Sequence, residues 1–439
     1  MKKYLLTAMM LMAAAIGMQA QPPSDSSPKY PQGATKQYSS GTNILAEDVE
    51  CSTQYYNAVQ VSGGTLTMTG CNITKTGDGS SGDNSSFYGN NSSIYAGAAS
   101  STDYGSTTAA SGAKIIIQNC TVTSSSQGAN AVIATNGASV EIDGITIVNN
   151  NSVSRGLHAT YGGIITASNV DITTNEATSS TIATDRGGGT VTVNGGKATA
   201  NGAKSAVIYS TGTMSATDLV GTSTKGEIAV IEGDNSIAMT NCTMTSGSSE
   251  RGLLMMQSGS GDASGYNPTM TIAGGSLTTS DTSAPLLEVA TNVTATCTLS
   301  GVTVNAGSGI LMYVMDDSQW STSGATGNLI LDNGEYSGTV KYDTGYTANV
   351  TVNSGAVWNL TGDATVSTLK NNDTINKNGY TLTYSSLSGS GTINEATNIS
   401  EKVKVNSEKS ATAYTLDGRK ATATTKGIVI KDGKKMVRQ

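Results

Sequence analysis

The chain has 439 residues, of which 52 are Gly, one is Phe and only 13% are charged, with a formal net charge of -7. The acidic balance and the lack of a basic run that could track phosphates argue against a nucleic-acid partner. Disorder requires apolar residues that are sparse and without order. Here they recur periodically, which points to a folded all-β chain.

Residues 1–20 read as a secretory signal peptide. Lys2 and Lys3 give a positive start, Leu5 to Met18 form a short apolar run, and Met18-Gln19-Ala20 offers a small-residue cleavage site before Gln21. A bilayer span needs about 20 apolar residues, more than this run supplies. No Cys follows the cleavage site, so no lipoprotein anchor is expected. Residues 21–45 are expected to be an N-terminal linker and cap.

Over 46–357 one eight-residue figure recurs eleven times: apolar, any, apolar, any, any, apolar or small, any, apolar or small. It begins with Leu66, Met68, Cys71 and Ile73, and returns as Ile115, Ile117, Cys120 and Val122. It ends with Val350, Val352, Gly355 and Val357. A second apolar run precedes most figures, as in Ala131-Val132-Ile133, Leu157-His158-Ala159 and Leu286-Leu287-Glu288-Val289. Each coil is therefore three short strands in about 21 to 27 residues, a unit that buries its inner face only by stacking. The expected fold class is all-β: a right-handed parallel β-helix solenoid of about eleven rungs with a small C-terminal β tail. A β-propeller would need antiparallel hairpins and repeats of about 40 residues.

Three long insertions fall at one corner, over 97–112, 257–268 and 316–327, and loops on one corner project from one side. Residues 358–398 read as degenerate coils closing the column, 399–410 as a polar linker and 411–439 as a separate β unit. Cys71, Cys120 and Cys242 hold the third inward position of the figure and Cys297 the first. That register and the odd count of five in the mature chain point to buried free thiols rather than bridges. A Cys71–Cys120 bridge on adjacent rungs is the alternative. Metal-ligand spacing is absent, and no cofactor is expected.

Some features resemble known families. The repeats, with Arg155 to Gly163, Ala183 to Gly189 and Trp358 to Asp363, resemble the pectate-lyase-like superfamily of β-helix proteins. Within it they are most similar to secreted bacterial proteins and passenger regions of autotransporter adhesins. The tail, Tyr414-Thr415-Leu416-Asp417-Gly418-Arg419 followed by Lys426 to Ile430 and Gly433-Lys434-Lys435, resembles the C-terminal sorting domain of secreted Bacteroidetes proteins. That resemblance implies export and attachment at the outer cell surface, with the export and surface-attachment machinery as a partner.

Catalysis on this fold would use paired carboxylates, and the adjacent pair that falls in a corner insertion is Asp316-Asp317. The Asn-Thr-Asp and Gly-His-Gly stretches expected of the fold's hydrolases do not occur, nor does a run of acidic calcium ligands. The single histidine, His158, sits inside a strand and is expected to point out of the column without catalytic partners. Arg155 and Arg251 each open an Arg-Gly-Leu turn at one corner. Asp185 and Arg186 lie at the other, beside Tyr161. These groups suit bidentate contacts and ring stacking to a ligand, or ties to neighbouring turns and carboxylates. Aromatic residues on polar loops are enriched at binding sites, which singles out Tyr104, Tyr266 and Trp320, with Asp262, Asp316 and Asp317 beside them in sequence. A Thr ladder over Thr74, Thr123, Thr173, Thr199, Thr222, Thr245 and Thr278 is a lesser feature, since Thr is a favoured exposed strand residue. The expected function is a secreted, surface-attached, adhesin-like protein that binds a surface glycan or a host or matrix protein through its corner loops. The alternatives are a polysaccharide-degrading enzyme of the same fold and a structural surface component. Carboxylates converging in one cleft would favour the enzyme.

Overall fold

In the computed structural model, described over residues 27–99, 112–259, 261–317, 324–395, 413–416, 418–422, 426–431 and 434–438, the chain is a stack of parallel strands. It divides after Ile393 into two units. The first unit is a parallel β-helix. Its first face is a sheet of twelve strands, running from Gly33–Tyr38 and Tyr56–Val61 to Ile310–Val314 and Thr339–Tyr342. The recurring figure forms the other two faces. In five coils one strand turns the corner between them: Lys114–Ser124, Ser139–Asn149, Gly163–Thr174, Gly189–Ala200 and Thr213–Ser223. Elsewhere the strand divides, as into Ser236–Thr240 and Thr243–Ser246.

The corner explains a position that composition leaves blank. Asn119, Asn169, Asp218 and Asn241 have φ between 51° and 56°, the left-handed region. Asn and Asp tolerate it because their short polar side chains bond locally. Gly144 takes the same place with φ 82°, and a Cβ there would lie 2.5 Å from Asn119 Oδ1. One left-handed residue per coil turns the chain and keeps the apolar alternation pointing inward on both sides. Leu66, Met68, Cys71 and Ile73 are buried, and the same holds for Ile115, Ile117, Cys120 and Val122 in the next coil. Inward residues of the first face, such as Val132, Leu157, Ile182 and Ile231, complete one continuous apolar column.

The stacking begins at Gly33, inside the segment expected to be linker and cap. Gly33–Tyr38, Thr42–Leu45 and Val49–Cys51 form a full coil ahead of the first figure. It buries Leu45, Val49 and Cys51 but has Asn43 where the next coil has Leu66, so the periodicity begins one coil late. At the other end, Ala364–Asn371 and Leu382–Ser388 continue the second face after the first face has stopped. The second unit contains an antiparallel sheet of Tyr414–Thr415, Gly427–Lys431 and Lys434–Arg438. The Thr ladder is in register from Thr173 through Thr199, Thr222 and Thr245 to Thr278, but Val148 interrupts it between Thr123 and Thr173.

All five cysteines are free and buried. Burial pushes the Cys297 thiol up to about 12 and raises Cys71 and Cys242 as well. A thiol that stays protonated and enclosed does not react. We therefore expect no labelling by a thiol-reactive disulfide reagent at pH 8 in the native protein, and five thiols per chain after denaturation. Rapid native labelling would contradict the closed column.

Candidate functional site

Strand alternation on the first face leaves one outward row, in register from Gln60 through Tyr95, Ile133, His158, Ala183 and Tyr209. It continues through Val230, Leu254, Glu288 and Tyr313 to Lys341. An outward row on a solenoid is ordinarily wet. Most of this one is not: Tyr95, Ile133, His158, Ala183 and Leu254 are all buried. Insertions from both corners fold over it.

One cover comes from residues 76–93, an insertion that the sequence reading did not single out. It holds a short helix, Asn84–Tyr88, which ends at Gly89 with φ 62°. Ser86 Oγ donates to Asn130 Oδ1 at 2.7 Å, and Asn130 Nδ2 donates back to the Ser86 carbonyl at 2.7 Å. Thr160 Oγ1 donates to the Phe87 carbonyl at 3.0 Å. Phe87, the only Phe of the chain, has two guanidiniums against its ring, Arg155 at 5.5 Å and Arg186 at 4.5 Å from the centroid. Tyr88 stacks on Tyr161 with centroids 6.4 Å apart. The other cover is the insertion after Met256. Its Asp262 accepts from Arg186 Nε at 2.8 Å, and its Ser258 donates to Glu232 Oε2 at 2.5 Å.

The two covers bring together residues expected at separate corners. Arg155, Tyr161, Asp185, Arg186 and Asp262 gather around Phe87 and its helix. Arg155 Nη2 lies 3.2 Å from Asp185 Oδ2 and 3.6 Å from Asp83 Oδ1. His158 points out of the column as expected, yet it is fully enclosed, with Nε2 3.4 Å from Asp185 Oδ2. Burial, and then the Arg155 charge, hold its pKa well below the usual range, so it is neutral at physiological pH. Burial pushes the Asp185 carboxyl well up against the opposing pull of Arg155, with Asp262, Asp83 and Glu232 adding to the rise.

A second ionic knot surrounds Arg251. Its Nε meets Glu227 at 3.1 Å, its Nη2 meets Glu250 at 3.2 Å, and its Nη1 meets Glu288 at 2.8 Å and Asp317 Oδ2. Burial raises Glu288 to about 7; Arg251 pulls it down and Asp317 pushes it up. Asp316 and Asp317, adjacent in sequence, diverge: Asp316 accepts from the Tyr346 hydroxyl while Asp317 turns to Arg251. Tyr266 is half-exposed and its carbonyl accepts from the Thr294 amide. Tyr104 and Trp320 lie outside the described residues.

Between the two knots runs a cleft of about 470 Å³. Its floor is an apolar strip outside the column, where Ala206, Val230, Leu254 and Met256 pack together against Tyr209. The Tyr209 hydroxyl donates to Glu232 Oε1. Asp83 and Phe87 stand at the helix end, Asp185, Glu232 and Asp262 at the wall, and Lys204, Glu227 and Lys225 at the rim. An apolar floor with a few fixed polar groups is the general form of a small-molecule or saccharide site. Sequence reasoning missed Tyr209, Glu227 and Glu232. Glu288 was visible as an acid inside an apolar strand, but its partners were not. Among the described residues no cluster of His, Cys, Asp or Glu could hold a metal ion. No family model, curated protein or solved structure matches the chain.

Proposed function

We propose that this is a secreted, surface-displayed glycan-binding protein and that the cleft on the outer face of the first sheet is its binding site. The observation that carries the reading is the cleft itself: an apolar floor with a tyrosine ring, enclosed by hydrogen-bonded charged walls. A sugar ring has an apolar face and polar edges, and such a site is complementary to both. The walls are preorganised. Asp185 and Glu232 are each at most 2% exposed and already engaged with protein groups. Fixing these groups before binding removes part of the ordering cost of association. The leader-like start and the sorting-like tail support display at the cell surface.

The polysaccharide-degrading alternative has one observation in its favour, since Asp83, Asp185, Glu227, Glu232 and Asp262 all line the cleft. The burial of Asp185 and Glu232 beneath their partners weighs toward binding, because a general acid or nucleophile must reach its substrate. The test is retention and turnover of purified protein on a glycan panel. We expect retention without new reducing ends, weakened about tenfold or more by Tyr209→Ala, which removes the ring from the floor. Product release that Glu232→Gln abolishes would replace binding with hydrolysis. Absence of retention on every glycan would overturn the reading.

A further inference from the structure

The two ends of the column differ in kind. At the start, Lys36 stands in register with the buried Val59 and Asn43 with the buried Leu66, so both hold inward positions of the first coil. Lys36 reaches from the first face to Glu47, in the turn beyond Leu45, at 2.5 Å. An inward-pointing charge blunts a sheet edge, because a strand added there would bury it.

The far end has no such device. Leu382, Tyr384 and Leu387 pair in register with the buried Ala364, Val366 and Leu369, so they too hold inward positions. Yet Tyr384 is 38% exposed and Leu387 48%, with Tyr380 just ahead of them at 41%. Among the described residues no strand pairs with the free edge of Leu382–Ser388. From Asn378 to Asn394 the sequence holds no charged residue. Beyond it, Glu401, Lys402, Lys404, Glu408 and Lys409 crowd residues 399–410, charges poorly matched to an apolar end.

We propose that this end is the interface of a two-fold dimer. The Leu382–Ser388 edges of two copies pair antiparallel, and Tyr384 and Leu387 of each pack on the open end of the other. The charge pattern selects this partner. The end is uncharged, so a copy meets itself without like charges opposed. The start of a second column would instead press Lys36 and Glu47 against Leu387 and strip them of water. A two-fold contact also closes at two copies, where a head-to-tail contact would run on as a fibre. On the glycan-binding reading, the dimer carries two clefts and holds a repeating surface at two points.

The test is sedimentation equilibrium of the full chain over about 1–100 µM. It needs no glycan, so its failure leaves the binding reading standing. We expect a dimer that Leu387→Lys weakens at least about tenfold, by setting a charge into each half of an apolar contact. Ile44→Lys, on the exposed outer surface of the first coil, should leave it unchanged. Because Leu387→Lys also touches the last coil itself, cross-linking gives a second reading. Ser385→Cys, at the middle of the edge strand, should form disulfide-linked dimers under mild oxidation, and Thr35→Cys in the first coil should not. A monomer at every concentration, oligomers growing past two, a dimer indifferent to Leu387→Lys or broken by Ile44→Lys, or linkage through Thr35→Cys in place of Ser385→Cys would overturn the proposal.

Discussion

Replacing Arg251 with Met is expected to lower the unfolding free energy by about 3–5 kcal/mol at pH 8, and by clearly less at pH 5. The methionine fills much of the space, so the loss is electrostatic. It leaves Glu227, Glu288 and Asp317 close together under the insertions with no cation among them. The guanidinium is what pulls the Glu288 carboxyl down, so without it that group rises above about 7 and becomes neutral in mild acid. One charge then leaves the cluster, and part of the penalty with it. Glu288→Gln separates this effect from packing. Glu288 titrates near 7 in the folded chain against about 4.3 when unfolded. The folded state therefore holds the extra proton between those values. Its contribution is fully present below about pH 4.3 and is lost as pH rises through 7. The amide keeps an acceptor for Arg251 and does not titrate, so the variant's melting temperature should vary less between pH 5 and pH 8 than that of the parent. Melting curves at the two pH values decide the matter. An Arg251→Met penalty equal at both would mean that the knot is held by shape rather than by charge.

The contrast between column and cleft shows what a one-dimensional sequence can carry. The column is periodic: Ile115, Val140, Ile165 and Val191 stack because the same register returns once per coil. Even the left-handed corner left a trace, since Asn, Gly or Asp stands ahead of the third inward residue in figure after figure. The cleft has no period. Arg251 meets Glu288 37 residues later and Asp317 66 residues later, and those separations sum coils of unequal length with insertions. Arg155 and Asp185, assigned to different corners by their turns, converge because guanidinium and carboxylate both lean over the outward face toward the helix of residues 84–88. That helix is five residues of Asn, Ser, Phe and Tyr without an amphipathic repeat, held by side-chain bonds to neighbouring coils rather than by its own propensity. The solitary Phe was the one legible hint, since a single large apolar residue in a Ser/Gly-rich insertion needs a place to pack.

Trp358→Ala is expected to cost about 3–5 kcal/mol and to divide a single unfolding transition into two. Trp358 is fully buried in the third face, stacked in register between Tyr336 and Ile375. Its indole Nε1 donates to the Gly338 carbonyl at 2.9 Å. Truncation removes the largest enclosed side chain of the column and leaves that carbonyl without its donor. Yet a solenoid coil touches only its neighbours, so its stability is a sum of intrinsic and nearest-neighbour terms. The loss should fall on the coils from Gly334 to Asn394 and leave those before Ser300 nearly as stable as before. Hydrogen exchange read along the chain is the decisive measurement. Protection should collapse in Ala356–Asn359, Ala364–Asn371 and Leu382–Ser388 while persisting in Ser139–Asn149 and Gly163–Thr174. Uniform loss of protection would show that the column unfolds as one cooperative body. The cleft, whose lining strand Leu253–Met256 lies three coils away, would then depend on the C-terminal coils as much as on its own covers.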